Sequence, residues 1–229
     1  MDFSVIGDNL EYLMIGAYPD GPLGGAALTL ILSVLSGAAA AVLGLGLGIA
    51  LVVVQGWTRW VLLAVLGFLR AIPVLMLIFW SYFLLPIVFH VDVPALATVV
   101  CALSLIGGAY LAHSVHAGIR SLSDGQWAAA RALGMQPWQV LRLIILPQAL
   151  PIMLPSFLNQ WISLIKDTSL AYVIGVGELS FVATQVSNRV MIHPTEIFMF
   201  VALVYFVFCS GLDVLANLLA RKRGPVKAR

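Results

Sequence analysis

Long apolar runs, interrupted by a few short polar stretches, set the pattern of this chain. A helix needs about 20 mostly apolar residues to cross a bilayer. Runs of that kind lie near 24–54, 61–89, 95–117, 152–174 and 195–220, which predicts five spans. The first is long, on the order of 45 Å at 1.5 Å per residue, so it must tilt or protrude. It carries Gly37, Gly44, Gly46 and Gly48. Small residues one turn apart let a second helix approach closely. A helix that merely tolerates glycine reads the same way.

One polar stretch has structure of its own. Between Gly125 and Pro147 the chain reads GQWAAARALGMQPWQVLRLIILP. Ser123 with Gln126 three residues on makes a capping-box pattern. Asp124 in the first turn suits the helix dipole. Ala128, Ala129, Ala130 and Ala132 are strong helix formers. Gly134 is placed to end this helix, and Pro137 to open a second one running to about Leu146. Pro147 marks the return to the membrane. A small-faced helix held between two bends can seat in a partner's groove with little side-chain entropy lost. It can equally pack on its own protein.

Composition fixes the class. The chain of 229 residues is 62% hydrophobic and 10% charged. Soluble domains carry about 25% charged residues, so this is a polytopic membrane protein. The pattern divides it into a segment 1–23 before the spans, a membrane domain 24–220 with the loop 118–147 inside it, and a basic tail 221–229. Cys101 and Cys209 fall within apolar runs and read as ordinary core residues, with no disulfide and no metal. The first residues hold Asp2, Asp8, Glu11 and Asp20 but no Lys or Arg, unlike a cleavable signal.

Charge placement orients the spans. If they alternate, Arg59, Arg120, Arg131, Arg142, Arg221, Lys222, Arg223, Lys227 and Arg229 share one side. Asp2, Asp8, Glu11, Asp20, Asp92 and Glu178 share the other with Arg189 alone. The expectation is an N-terminus outside and a cytoplasmic C-terminus whose basic tail meets anionic headgroups and no nucleic acid. Arg70 is harder to place. Either span 2 starts near Ala71, with Trp57–Leu69 as an interfacial segment, or Arg70 snorkels to the cytoplasmic headgroups. Both keep it cytoplasmic, with Pro73 in a first helical turn.

Lys166 and Asp167 interrupt an apolar run, and charges at such depth face a bundle interior or cavity. Neighbours in a helix point apart, so these two cannot face one another on a regular helix. Lys166, Asp167, Thr168 and Ser169 in a row predict a local break of the kind found at transport sites. An amino acid brings a carboxylate and an ammonium. Lys166 can hold the first, Asp167 the second, and Thr168 and Ser169 can add hydrogen bonds. A structural ion pair or a gate element remains the alternative. His113 and His116 stand three apart without the further ligands a metal needs. Pro147, Pro151 and Pro155 weaken the entry to span 4. Asp213 and Asn217 lie one turn apart, placed to meet another helix.

The loop is also recognisable. Gly125-Gln126, Ala128-Ala129-Ala130, Gly134 and Ile144-x-Leu146-Pro147 resemble the EAA loop of bacterial ABC-transporter permeases. Leu69-Arg70-Ala71-Ile72-Pro73, Gly108-Ala109-Tyr110-Leu111-Ala112 and Lys166-Asp167-Thr168-Ser169-Leu170 resemble segments of the polar amino acid branch. The resemblance implies the type I importer permease fold, all helical, in a bacterial inner membrane. It implies ATPase coupling through Gly125, Ala128, Ala129, Ala130, Gly134, Ile144, Leu146 and Pro147. It implies two ATPase subunits carrying ATP and Mg, a second permease (the same chain or a homologue) and a periplasmic amino-acid-binding protein. This chain itself would bind no cofactor. One departure stands out: Ala128 occupies the family's glutamate position, so docking would rest on fit more than charge. Related permeases also tend to carry Glu and Arg where this chain has His113 and His116. The wording of IPVLMLIFWSYFLLP leans toward glutamate, aspartate or glutamine.

Other functions fit the sequence less well. A phosphate-binding loop of the Walker type is missing from the sequence, so ATP hydrolysis falls to a partner. A self-contained secondary transporter would use Lys166 and Asp167 as ion-coupling groups, but five spans without a repeat argue against it. An intramembrane enzyme would need a constellation that the sequence does not contain.

Overall fold

The computed structural model describes residues 4–191 and 193–221. Helix α1 (Ser4–Ile15) precedes the long α2 (Gly25–Val53) and α3 (Gly56–Ala71). Then come α4 (Val74–Phe89), α5 (Ala95–Arg120), the loop helix α6 (Asp124–Ala132), the rod α7 (Pro137–Ile174), α8 (Leu179–Val190) and α9 (Pro194–Arg221). Four of these, α2, α5, α7 and α9, are long and apolar enough to cross a membrane. Counting the bent pair α3 and α4 as one span gives a fifth.

The centre is α2 packed along α5. Glycine makes that approach possible. A Cβ on Gly48 would stand 2.5 Å from the Val115 Cβ and 2.8 Å from the Ala112 carbonyl oxygen. A Cβ on Gly44 would run into Leu111. The stripe is selective: Gly46 faces open space and Gly37 faces the Trp161 indole. Leu32, Ala40, Ile78, Val99, Leu103 and Leu164 fill the core around this pair.

Span 2 is not a single helix over 61–89; of the two readings, the structure follows the one with a boundary near Ala71. The chain turns by 101° between α3 and α4. Pro73 caps α4 instead of lying in its first turn. The cause is local: the residue before a proline is pushed out of helical backbone, and Ile72 sits at ψ 133°. Arg70 is therefore not at the end of the bundle with Arg120. It stacks over the Tyr110 ring at 5.0 Å. Tyr110 is ten residues before Arg120, about 15 Å along α5. Cys101 is exposed on the outside of the bundle and is not a core residue.

The rod α7 also departs from expectation. The second loop helix does not end before the membrane at Pro147 but continues through it. A π-turn over Leu141–Ile145 joins the segments, with the Leu146 N–H bonded to the Leu141 carbonyl five residues back. The same device precedes Pro86, where Leu85 N–H bonds to the Trp80 carbonyl. A proline lacks an N–H and crowds the carbonyl four residues back; one widened turn absorbs both defects. Pro151 and Pro155 then lie inside the helix.

Candidate functional site

Two sites emerge, one at mid-height and one at the loop. The first is a cleft of about 440 Å³ whose walls include Arg70, Tyr110, Gln160, Ser163 and Asp167. Its existence follows from the break after α3, which leaves Arg70 to Pro73 apart from the rod. Gln160, Ser163 and Asp167 recur at helical spacing on one face of α7. The Tyr110 hydroxyl donates to the Arg70 carbonyl at 3.3 Å, tying the break to α5. No ion pair joins Arg70 to Asp167 among the described residues, so the two opposite charges share a cavity without closing it.

The expected set Lys166, Asp167, Thr168 and Ser169 is divided by the structure. Only Asp167 lines the cleft. Lys166 is exposed on the adjoining face. Thr168 is fully buried and its hydroxyl donates to the Ile165 carbonyl at 2.7 Å. Ser169 donates likewise to the Lys166 carbonyl at 2.7 Å. These two hydroxyls serve the backbone where α-helix gives way to a 3₁₀ turn over Thr168–Ile174. The predicted break is thus a tightening of the helix, ended by Gly175 at φ 78°. Arg70, Tyr110, Gln160 and Ser163 were not assigned to the site from sequence. The polar repeat at 160, 163 and 167 was the available signal.

Beyond the 3₁₀ turn sits a buried carboxylate. Glu178 is 0% exposed and caps α8, accepting from the N–H groups of Ser180 and Phe181, both at 2.9 Å. The Tyr205 hydroxyl donates to it at 2.9 Å. Next to it, Leu179 N–H donates to the Thr29 hydroxyl at 3.1 Å and Gly25 N–H to the Gly177 carbonyl at 2.9 Å. Four segments meet at this knot. Burial pushes the Glu178 carboxyl up to about 7, against the lowering effect of its hydrogen bonds.

The second site is the loop. Gly125, Ala128, Ala129 and Ala132 are exposed on α6, while Ala130 is 2% exposed and packs inward. Ala130 joins Val115, Ile119, Val140, Ile145 and Met153 in one cluster, with Ile144 and Leu146 half-buried against it. Each fully buried aliphatic side chain in such a cluster contributes about 1.5–3 kcal/mol where water is the alternative. Helix α6 is therefore fixed to α5 and α7 through its back. Gly134 ends it at φ 77°, as expected. The Ser123 hydroxyl makes no capping bond; instead its carbonyl accepts from Gln126 N–H at 3.1 Å. The reciprocal cap belongs to the next helix, where Gln136 N–H donates to the Gln139 side chain at 2.8 Å. Pro147 is exposed on the rod.

The lesser candidates resolve simply. The Arg59 guanidinium lies 3.4 Å from His116 Nε2, which must accept because arginine only donates. Asn217 donates to Asp213 at 3.2 Å within α9. Lys222, Arg223, Lys227 and Arg229 of the tail lie outside the described residues.

Residues 40–224 match the family described as the binding-protein-dependent transport system inner membrane component. The chain belongs to that family. Among curated relatives, the glutamate/aspartate import permease protein GltK of Escherichia coli O157:H7 is 34% identical over 233 residues, 96% of this chain and 97% of GltK. The glutamine transport system permease protein GlnP of Escherichia coli (strain K12) is 34% identical over 86% of this chain and 90% of its own length. The L-cystine transport system permease protein TcyB of Bacillus subtilis (strain 168) is 35% identical over 72% and 70%. A crystal structure of an amino acid ABC transporter with histidines contains a chain that superposes with TM-score 0.83 at 26% identity, covering 97% of this permease and 99% of that chain. An inward-facing MetNI methionine ABC transporter shares the fold, with TM-score 0.73 at 20% identity over 86% and 93%. The permease is thus a non-catalytic, membrane-spanning transport subunit. These relatives lend nothing to a self-contained secondary transporter.

Proposed function

We propose that this permease forms, with a second permease, the path of an ATP-driven importer for polar amino acids in a bacterial inner membrane. A periplasmic binding protein delivers the substrate, and two ATPase subunits, holding ATP and Mg, drive the cycle. The loop faces the cytoplasm. The exposed Gly125, Ala128 and Ala129 face docks on the ATPase by fit, Gly134 ends that helix, and Ala130, Ile144 and Leu146 carry its motion into the rod. Pro147 sets the phase of the rod behind them. The names GltK, GlnP and TcyB, each a relative with a different amino acid substrate, support the substrate class.

The observation that carries the reading is the mid-height cleft with opposite charges held apart. Asp167 receives the ammonium of the amino acid and Arg70 its carboxylate; a guanidinium binds a carboxylate in bidentate fashion. Gln160 and Ser163 add hydrogen bonds. Lys166 acts on the neighbouring exposed face, where the second permease packs. Thr168 and Ser169 lock the turn that presents Asp167. Uptake with the ATPase and binding protein reconstituted tests this. Asp167→Asn and Arg70→Gln should each abolish uptake while loaded binding protein still stimulates ATP hydrolysis. Lys166→Ala should be milder. Unchanged KM for uptake in both cleft variants would sink the assignment.

A further inference from the structure

Behind the coupling helix lies a second cleft, of about 310 Å³, which the transport mechanism above does not use. It opens where two spans end. Gln55 follows the last turn of α2, and Arg120 is the last residue of α5. The third wall is α6, which turns Asp124, Trp127 and Arg131 toward the cleft, away from its exposed alanine face. The same helix thus presents small residues to one side and large polar ones to the other.

The charges in this cleft are unbalanced. Arg120 and Arg131 face one carboxylate, Asp124. Neither guanidinium has an ion-pair partner among the described residues. Arg131 spends only its Nε–H, on the Trp127 carbonyl at 3.3 Å, which leaves its terminal N–H groups free. Two guanidiniums with a neighbouring amide and indole make a donor-rich pocket suited to a phosphate oxygen cluster.

Depth identifies the source of that phosphate. Trp57 and Trp60 are each 74% exposed on α3, starting two residues after Gln55. Exposed tryptophans of this kind settle at the membrane–water interface. They set the headgroup plane at the height of Gln55, which lines the cleft. Basic pockets between span ends on the cytoplasmic side hold anionic lipid headgroups.

We propose that the cleft of Gln55, Arg120, Trp127 and Arg131 binds the phosphodiester headgroup of an anionic phospholipid, so that a lipid ties the coupling helix to the end of α5. The site rests on the reading of the loop end as the cytoplasmic membrane surface. Its occupancy would stiffen the link between α6 and the bundle, which makes coupling sensitive to bilayer charge.

The permease purified in detergent, without ATPase, is the test material, so that failure of the transport reading and failure of this site are separate results. Native mass spectrometry would count phosphatidylglycerol against phosphatidylcholine retained by the chain. Wild type should hold phosphatidylglycerol preferentially. R120Q/R131Q should bind it about 25-fold more weakly, from a factor of about five per guanidinium. R120K/R131K should retain most of the preference, which controls for folding, and R59Q, outside the cleft, should bind as wild type. Equal retention of the two lipids by wild type would overturn the proposal. So would a preference in R120Q/R131Q matching that of R59Q. Inorganic phosphate that protects the chain against heat as well as phosphatidylglycerol does would show a free-anion site instead and equally refute it.

Discussion

Replacing Glu178 with Gln probes the knot that closes the bundle at the end opposite the loop. Below its pKa the carboxyl is neutral and loses little by burial; above it a charge is held where water is excluded. With a folded value of about 7 against an ordinary 4.5, the folded state binds the proton more tightly. Stability from this group is therefore full below pH 4.5 and is lost as pH rises through about 7. The gap of about 2.5 units, 7 minus 4.5, corresponds to about 3 kcal/mol at 1.36 kcal/mol per unit. For a chain of this size that is roughly 6–12 °C in Tm. Glu178→Gln keeps an acceptor oxygen for the α8 cap but cannot ionise. Thermal unfolding of the purified permease should show wild-type Tm falling across that pH window. The Gln variant should fall less, by about the amount above, with the two curves closest at the acid end. Parallel curves for the two proteins would refute the argument, because the buried carboxyl would then contribute nothing to the pH dependence.

Gly48→Ala should force α2 from α5, since its methyl meets both Val115 and the Ala112 carbonyl. The expected loss is about 1–3 kcal/mol, read as a lower Tm. Gly46→Ala, facing open space, should instead be neutral or stabilising by up to about 1 kcal/mol. Ala128→Trp should uncouple ATP hydrolysis from uptake in the assembled transporter without lowering the Tm of the permease alone, while Ala128→Ser changes little. Ala130→Trp should lower that Tm, because Ala130 is buried in the loop cluster.

Much of the architecture could be read from the chain because long apolar runs admit few alternatives. The glycines of α2, the αL stop at Gly134 and the paired loop helices were visible as local chemistry. The loop face was only half visible: three alanines in a row look alike in sequence, and tertiary packing alone separates Ala130 from Ala128 and Ala129. The break at Ile72-Pro73 is legible in sequence only as one of two alternatives, for a physical reason. Hydropathy sums over a window, and a sharp turn flanked by apolar residues leaves no mark on it. Arg70 reads in sequence as a charge to be carried to the headgroups, whereas the turn leaves it exposed against the Tyr110 ring, about 15 Å along α5 from Arg120. Asp167 stands out in the sequence because a charge is expensive to bury. Gln160 and Ser163 do not, because neutral polar residues cost less there. The roles of Thr168 and Ser169 reversed for a similar reason, since a hydroxyl next to helical backbone is most easily satisfied by that backbone.

The unbroken rod from Pro137 to Ile174 has a mechanical meaning. From Trp138 to Asp167 it measures about 44 Å at 1.5 Å per residue. A stiff beam of that length turns a small angle at one end into a stroke at the other. Tilting it by about 5° would carry Asp167 roughly 4 Å, more than the length of a hydrogen bond. On the proposed coupling, a push at the loop thus needs no relay of side chains to reach the cleft. The widened turn at Leu141–Ile145 and the turns weakened by Pro151 and Pro155 are the compliant joints in that beam, and their stiffness sets how much of the stroke arrives.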